Sequence, residues 1–284
     1  MDRRLLLPFA FALSILAPVL AQGPVAAKAA KAKAVPPSPP AAAPCTRFFL
    51  GGQAPTGRSG DRIICHSFYV ISYSTTLRDP VWTSYRQTRE MSVGGDGIAR
   101  YHGEFRPQPG LTAAQQGDHD DYVNPPYDRG HLTPANDAED MAHQSDTFFI
   151  TNVVPQVSEL NEHLWANLEA AVHQLAATQG PVFIVTGATF AANPPLMHRT
   201  GQQGRIAVPD ATFKAIFVPS LNVAVGFLAP NAAPGTACTI MSIAELTRQT
   251  GVNPFPSLPA ATTAQIPASF TLTMRAPRCL PAAH

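Results

Sequence analysis

The chain has 284 residues, of which 45% are hydrophobic and 14% charged, the balance of a globular protein, while 29 prolines imply many loops and at least one linker. The formal net charge of +1 hides an asymmetry: five basic residues and one acid fall in residues 1–44, which leaves 15 basic against 18 acidic residues in the rest. A slightly acidic folded part, with Lys214 as its only lysine, excludes a broad basic face that grips nucleic acid by charge alone. Any phosphate recognition must be local and built on arginine.

Residues 1–21 read as a secretory signal peptide. Asp2-Arg3-Arg4 forms a charged start, Leu5 to Leu20 is apolar, and Val19-Leu20-Ala21 suits a cleavage site. A membrane anchor is the alternative, but the run is shorter than the ~20 residues needed to span, and Pro8 and Pro18 interrupt it. No stable membrane insertion is expected after cleavage, and the protein would be periplasmic or secreted. Residues 22–44 are Ala-, Lys- and Pro-rich and can build no core, so they read as a disordered or polyproline-like linker. The folded domain then spans 45–284. Its four cysteines, Cys45, Cys65, Cys238 and Cys279, would form two disulfides in an oxidising compartment. Three pairings are possible. Cys45–Cys65 with Cys238–Cys279 is favoured because each closes a local loop.

Within the domain, 67–73 and 81–85 are aromatic and β-branched runs that predict strands, with Leu77-Arg78-Asp79-Pro80 as the turn between them. A long polar loop fills roughly 94–126, and Thr147-Phe148-Phe149-Ile150 predicts a short strand. The clearest helix runs from Ser158, a natural N-cap, to about Gln179. Leu160, Leu164, Leu168, Val172 and Leu175 make one buried stripe, and Gly180-Pro181 ends it. Residues 182–185, 213–218 and 223–228 predict buried strands, and Met241 to Gln249 a second helix closed by Thr250-Gly251. A proline-rich, extended tail follows. No repeat or internal boundary is visible, so the domain is a single α+β unit.

Among nine histidines, His131 alone sits in a setting that suggests chemistry. It follows Gly130, which allows a tight turn, and Arg129 two residues earlier would share its face in an extended segment. A neutral imidazole there can take a proton from water while the guanidinium holds a phosphate oxygen. A surface histidine beside an ion-paired arginine is the alternative. On the helix, Asn161 and Glu169 are eight positions apart, which on an ideal α-helix is ~12 Å along the axis and ~80° in azimuth. They can face one cavity but not both ligate one ion directly. Hard oxygen donors with several retained waters suit Mg²⁺. Trp165 between them reads as core.

The combined pattern is specific. Asp128-Arg129-Gly130-His131, Asn152-x-x-Pro155-Gln156 and Asn161-x-x-x-Trp165-x-x-Leu168-Glu169 together resemble the DNA/RNA non-specific endonuclease family that includes endonuclease G. Tyr122, Tyr127, Pro134-Ala135, Asp137, Tyr73, Trp82 and Thr250-Gly251-x-x-Pro254-Phe255-Pro256 add to the likeness, which spans most of 65–258. The resemblance implies an α+β fold with a ββα-metal (His-Me finger) core, set in a larger, mainly antiparallel sheet flanked by helices. It implies a metal-dependent phosphodiester hydrolase acting on DNA and RNA, with Mg²⁺ as cofactor and Mn²⁺ as a possible substitute. His131 would be the general base, Asn161 the direct metal ligand, and Glu169 would act through a water of the ion's shell. Arg129 would neutralise transition-state charge, Asn152 would help position the site, and Asp128 would brace the loop. Products would carry 5′-phosphate and 3′-hydroxyl ends. A further upstream arginine is implied, and Arg100 and Arg106 compete for that role. A homodimer is possible, since members are often dimers. Two other readings share parts of the pattern, a non-catalytic nucleic-acid-binding protein and a phosphodiesterase for small substrates.

Overall fold

The computed structural model of the chain describes residues 45–281, apart from 124–125, 198–204, 233–236, 269 and 275–278. The expected signal peptide and linker lie outside the described residues. In chain order the strands that matter are β1 (Arg62–Cys65), β2 (Tyr69–Ser74), β3 (Asp79–Gln87), β4 (Asp128–His131) and β5 (Val153–Gln156). After them come β6 (Val182–Thr189), β7 (Ala211–Val218), β8 (Val223–Pro230), β9 (Cys238–Met241) and β10 (Cys279–Pro281). The helices are α1 (Arg89–Gly95), α2 (Met141–Asp146), α3 (Ala166–Gln179) and α4 (Ile243–Thr250).

Eight strands form one sheet in the order β10-β9-β8-β7-β6-β3-β2-β1, antiparallel except for the parallel pair β9–β10. Alternation along the strands supplies two apolar faces. Ile184, Ile216, Val218, Val225 and Phe227 meet Leu160, Leu164, Trp165, Leu168 and Val172 of the helical segment on one face. Val185, Phe213, Ala215, Phe217 and Ala224 meet Phe48, Phe49, Ile243, Leu246 and Phe255 on the other. The expected α+β architecture, a large antiparallel sheet flanked by helices, is what the chain forms. The two disulfides are Cys45–Cys65 and Cys238–Cys279, the pairing favoured from the sequence. The second joins residues already facing each other in the β9–β10 register.

Several local expectations shift. The turn before β3 occupies 75–78, and Asp79 and Pro80 already pair with Ser74 and Tyr73. Arg78 takes a left-handed φ of 58° to close that turn. Residues 147–150 form no strand: Phe149 makes one isolated bridge to Arg106, and a 3₁₀ turn over Ile150–Asn152 follows. Met241 belongs to β9, where it faces Gly226, so the helix after it starts one residue beyond Ser242. Ser242 is its N-cap, accepting from the Glu245 amide at 3.2 Å. Ser158 is helical and not a cap. The Val157 amide that precedes it donates to Asn231 Oδ1 at 2.9 Å, a tertiary partner that no local pattern announces.

Candidate active site

β4 and β5 form a separate two-stranded ribbon in the register Asp128↔Gln156, Arg129↔Pro155, Gly130↔Val154 and His131↔Val153. The chain turns from β5 directly into a helical run from Ser158 to Gln179, and strand, strand and helix together make a ββα unit. Gln156 Nε2 ties the ribbon to the large sheet by donating to Thr212 Oγ1 at 3.2 Å. Gly130 serves space and not a turn, because its backbone is extended. A Cβ there would meet Gln156 Oε1 and lie 2.7 Å from Gln156 Cβ. Alternation on the strand then sends Arg129 and His131 to one side, as expected, and both line a cleft of about 540 Å³.

The helical run opens with a π-turn over Leu160–Trp165 before it becomes the α-helix Ala166–Gln179. Asn161 lies in the π-turn and Glu169 in the α-helical part, and both reach the cleft. Trp165 between them is buried core, as expected. Asp128 does more than brace a loop. Its carboxylate accepts from Asn161 Nδ2 at 3.0 Å and from Ser158 Oγ at 2.9 Å. An ionised carboxylate only accepts, so Asn161 must turn its Nδ2 toward Asp128, which leaves Oδ1 as its open donor atom.

His131 is wedged among rings, with Phe105 and Phe148 centroids each 5.2 Å away. Burial, and after it the charges of Arg100 and Arg129, push its pKa down to about 3. Its Nε2 is buried with no hydrogen-bond partner among the described residues. The imidazole is therefore neutral at working pH and able to accept a proton. Burial raises the Glu169 carboxyl to about 7, opposed by Lys214, with Asp137 raising it further. The Arg129 guanidinium lies 5.1 Å from the Phe105 centroid and 5.8 Å from that of Tyr122, a cation–π cradle that points it into the cleft.

The two competing arginines separate clearly. Arg100 lines the cleft, its guanidinium 5.2 Å from the Phe148 centroid. Arg106 lies over Phe149 at 3.9 Å and pairs with buried Asp146 at 3.6 Å, away from the cleft lining. Asn152 does not reach the cleft either. Its Oδ1 accepts from the Thr133 amide at 3.0 Å, and its Nδ2 donates to the carbonyls of Thr133 and Thr147 at 2.9 and 3.0 Å. Fully buried and fully bonded, it fixes the chain just after His131.

Sequence reasoning missed Phe105 and Phe148, which cage His131, because they come from irregular segments on either side of the motif. An Asn161 amide oxygen and a Glu169 carboxylate lining the same cleft are a sparse, hard donor set that suits a well-hydrated Mg²⁺. Glu169 Oε1, buried with no hydrogen-bond partner, is the orphaned acceptor that such a hydrated ion would satisfy. Among the described residues a denser acidic group, Glu139, Asp140 and His143, lies elsewhere, and none of the three lines the cleft.

A family model described as DNA/RNA non-specific endonuclease matches residues 53–261. The chain is 31% identical over 220 residues to nuclease C1 of Cunninghamella echinulata var. echinulata, covering 72% of this chain and 86% of that protein. It is 28% identical over 216 residues to the mitochondrial nuclease EXOG of Danio rerio, covering 70% of this chain and 62% of the relative. In fold it is similar to a solved EndoG/EndoGI complex, with a TM-score of 0.63 and 24% identity over 71% of this chain and 89% of the other.

Proposed function

The chain belongs to the DNA/RNA non-specific endonuclease family, a nucleic-acid hydrolase acting on phosphodiester bonds, and on that premise we propose an exported, Mg²⁺-dependent enzyme that cuts DNA and RNA alike. The observation that carries this reading is His131, its buried Nε2 without a hydrogen-bond partner among the described residues, lining with Arg100 and Arg129 a cleft that Asn161 and Glu169 also line.

Arg100 and Arg129 bind the scissile phosphate and orient it toward His131. His131 takes a proton from a water whose oxygen forms the new bond to phosphorus. The bond from phosphorus to the 3′ oxygen breaks, and that oxygen takes up a proton, so the products are 5′-phosphate and 3′-hydroxyl ends. Asn161 would hold Mg²⁺ by its Oδ1, and Glu169 would hold it through water of hydration. When bound, the ion supplies Lewis-acid stabilisation of charge on the phosphate and the leaving oxygen. Asn152 positions the segment that carries His131.

The test is digestion of supercoiled plasmid and of single-stranded RNA by purified protein, with Mg²⁺, with Mn²⁺ and with EDTA. Both substrates are expected to be lost with either metal, and neither with EDTA. His131→Ala should abolish cleavage with the circular dichroism unchanged, and Asn161→Ala should raise the Mg²⁺ requirement. Folded wild-type protein that cuts neither substrate would overturn the reading.

Export rests on the sequence of residues 1–21 and is supported by two disulfides of the kind that persist in oxidising compartments. N-terminal sequencing of the mature protein should begin at Gln22, and an intact Met1 end in the soluble cytoplasmic fraction would refute it. Size-exclusion chromatography with light scattering on the same preparation tests for a homodimer.

A further inference from the structure

Two aromatic rings cage His131, and neither comes from a helix or a strand. Phe105 and Phe148 each lie 5.2 Å from the imidazole centroid and 4.9 Å from each other. Their segments are joined by the isolated bridge between Arg106 and Phe149. There the Arg106 amide donates to the Phe148 carbonyl at 3.0 Å, and the Arg106 carbonyl accepts from the Ile150 amide at 2.8 Å. Arg106 and Phe149, the next residue in each segment, meet on the back of the bridge. The guanidinium carbon is 3.9 Å from the ring centroid, and neither residue lines the cleft. Both terminal nitrogens of Arg106 are buried with no hydrogen-bond partner among the described residues. Burying a charge in that way is unfavourable unless an anion faces it. Asp146 is that anion, 3.6 Å from Nη2. Its carboxylate accepts from Ser67 Oγ at 2.7 Å and its carbonyl from Tyr69 Oη at 2.7 Å, which ties it to β2 and the residues just before it. The His66 ring, held neutral by burial, stacks on Tyr69 at 4.6 Å and lies 4.9 Å from Phe149, so it adds surface and no charge.

We infer that Arg106 is a positioning residue for the hydrolysis: through its stack on Phe149 and its pair with Asp146 it clamps Phe105 and Phe148 against His131. This rests on the role given to His131 above. A hydrogen bond could fix the imidazole directly, but Nε2 has no partner among the described residues, and it must stay open to take a proton from water. Packing is then what sets where Nε2 points, and the two rings are that packing. The same rings touch both arginines of the cleft. Phe148 lies 5.2 Å from the Arg100 guanidinium and Phe105 lies 5.1 Å from that of Arg129. A clamp on the back of the bridge therefore aligns the base and the phosphate-binding groups as one unit. Arginine suits the task because a planar guanidinium can lie on a ring and still carry the charge that faces Asp146, whereas a lysine ammonium is a point charge alone.

The experiment measures kcat and KM on plasmid DNA for the wild type, Arg106→Met, Arg106→Lys and Asp146→Asn, each corrected for folded protein by circular dichroism. Asparagine at 146 can still accept from Ser67 Oγ, so it removes the charge and leaves that bond. Arg106→Met should lower kcat by about tenfold or more, with KM within about threefold. Arg106→Lys and Asp146→Asn should fall between it and the wild type. In a background of Phe105→Leu with Phe148→Leu, which removes the clamped rings, Arg106→Met should have little further effect. Imidazole proton NMR of the metal-free protein gives a readout independent of turnover. The His131 signals, shifted by the two ring currents, should move in Arg106→Met and Asp146→Asn, while the indole signals of Trp82 and Trp165 stay in place. Unmoved His131 signals, or a kcat per folded molecule equal to that of the wild type, would overturn the inference. So would the full loss recurring in the background without the rings. If Arg106→Met does not fold, Asp146→Asn decides by the same readouts. Wild-type cleavage that His131→Ala abolishes keeps the nuclease reading in each of these events, and a folded wild type without cleavage would sink that reading instead.

Discussion

Asp128 shows how a residue that touches no reacting atom can decide the chemistry. Its carboxylate fixes the Asn161 amide by accepting from Nδ2, and so selects which Asn161 atom is open to an ion. Asp128→Ala should therefore keep the fold and raise the Mg²⁺ concentration needed for half-maximal cleavage by about tenfold or more, the usual cost of losing an outer-shell partner. A Mg²⁺ titration of cleavage rate checks this, and an unchanged half-maximal concentration would mean that something else orients Asn161. At this scale the sequence is legible where chemistry sits at fixed spacing on one element. Arg129 and His131 alternate on a strand, and Asn161 and Glu169 share a helical run. Arg100, Phe105 and Phe148 carry no such signature, because loops bring them to the site. The choice between Arg100 and Arg106 was open for the same reason. The bridge between Arg106 and Phe149, which turns that guanidinium toward Asp146, is a tertiary pairing.

The helical run after β5 was readable as an element but not in its internal form. Leu160, Leu164 and Leu168 recur every four residues, an interval that fits an α-helix, yet the first turns are π-helical. One extra residue per turn rotates everything before it relative to everything after it, and π-bulges recur at functional sites for that reason. Here the turn sets Asn161 against Glu169. Deleting exposed Glu162 should relax the turn to α-helix, rotating Asn161 by about 100° relative to Glu169. The expected product is a folded protein with native helix content by circular dichroism and at least a hundredfold lower Mg²⁺-dependent cleavage. Near wild-type cleavage would show that the π-turn is incidental. Short elements escaped the sequence because their signals are weak: α1 and α2 have 7 and 6 residues, and each depends on one side-chain cap, Thr88 or Asp140. Residues 147–150 misled in the opposite direction, since their apolar run packs as irregular chain around His131 and Arg106.

In the whole molecule the site is an insertion. β3 and β6 are neighbours in the sheet, and the ribbon, the π-turn and α3 all lie between them in sequence, packed on one face. Strand order of this kind follows from which faces meet, so the sequence predicted strands but not their neighbours. Building the cleft on the core also places titratable groups where burial acts on them, and this fixes how stability responds to acid. Burial pushes His131 to about 3 and His66, stacked on Tyr69 and beside Phe149, to about 4. Unfolded, each would titrate near 6.5, so the folded state binds fewer protons, and stability present above that pH is lost as pH falls toward the folded values. Glu169 and Asp79 act in the opposite sense: burial raises both, so they contribute stability at low pH that is lost as pH rises through their folded values. His173, raised by its bond to Asp137, also loses its contribution as pH rises. Between about pH 4.5 and 6.5 the two histidines and two carboxyls largely offset. Below about 4.5 the unfolded carboxyls are protonated as well, and the two histidines, joined by the carboxyls that the fold holds below their usual range (Asp61, Asp140 and Glu245 among them), draw protons into the unfolded state. The melting temperature should therefore decline as pH rises above about 6.5, be nearly level from about pH 6.5 to 5, and fall steeply below about 4.5. His66→Phe keeps the ring stack and removes one of the two buried histidines, so its loss of melting temperature between about pH 6.5 and 4 should be smaller than that of the wild type. Parallel curves for the two proteins would show that His66 is solvated and that its ring does not limit acid stability.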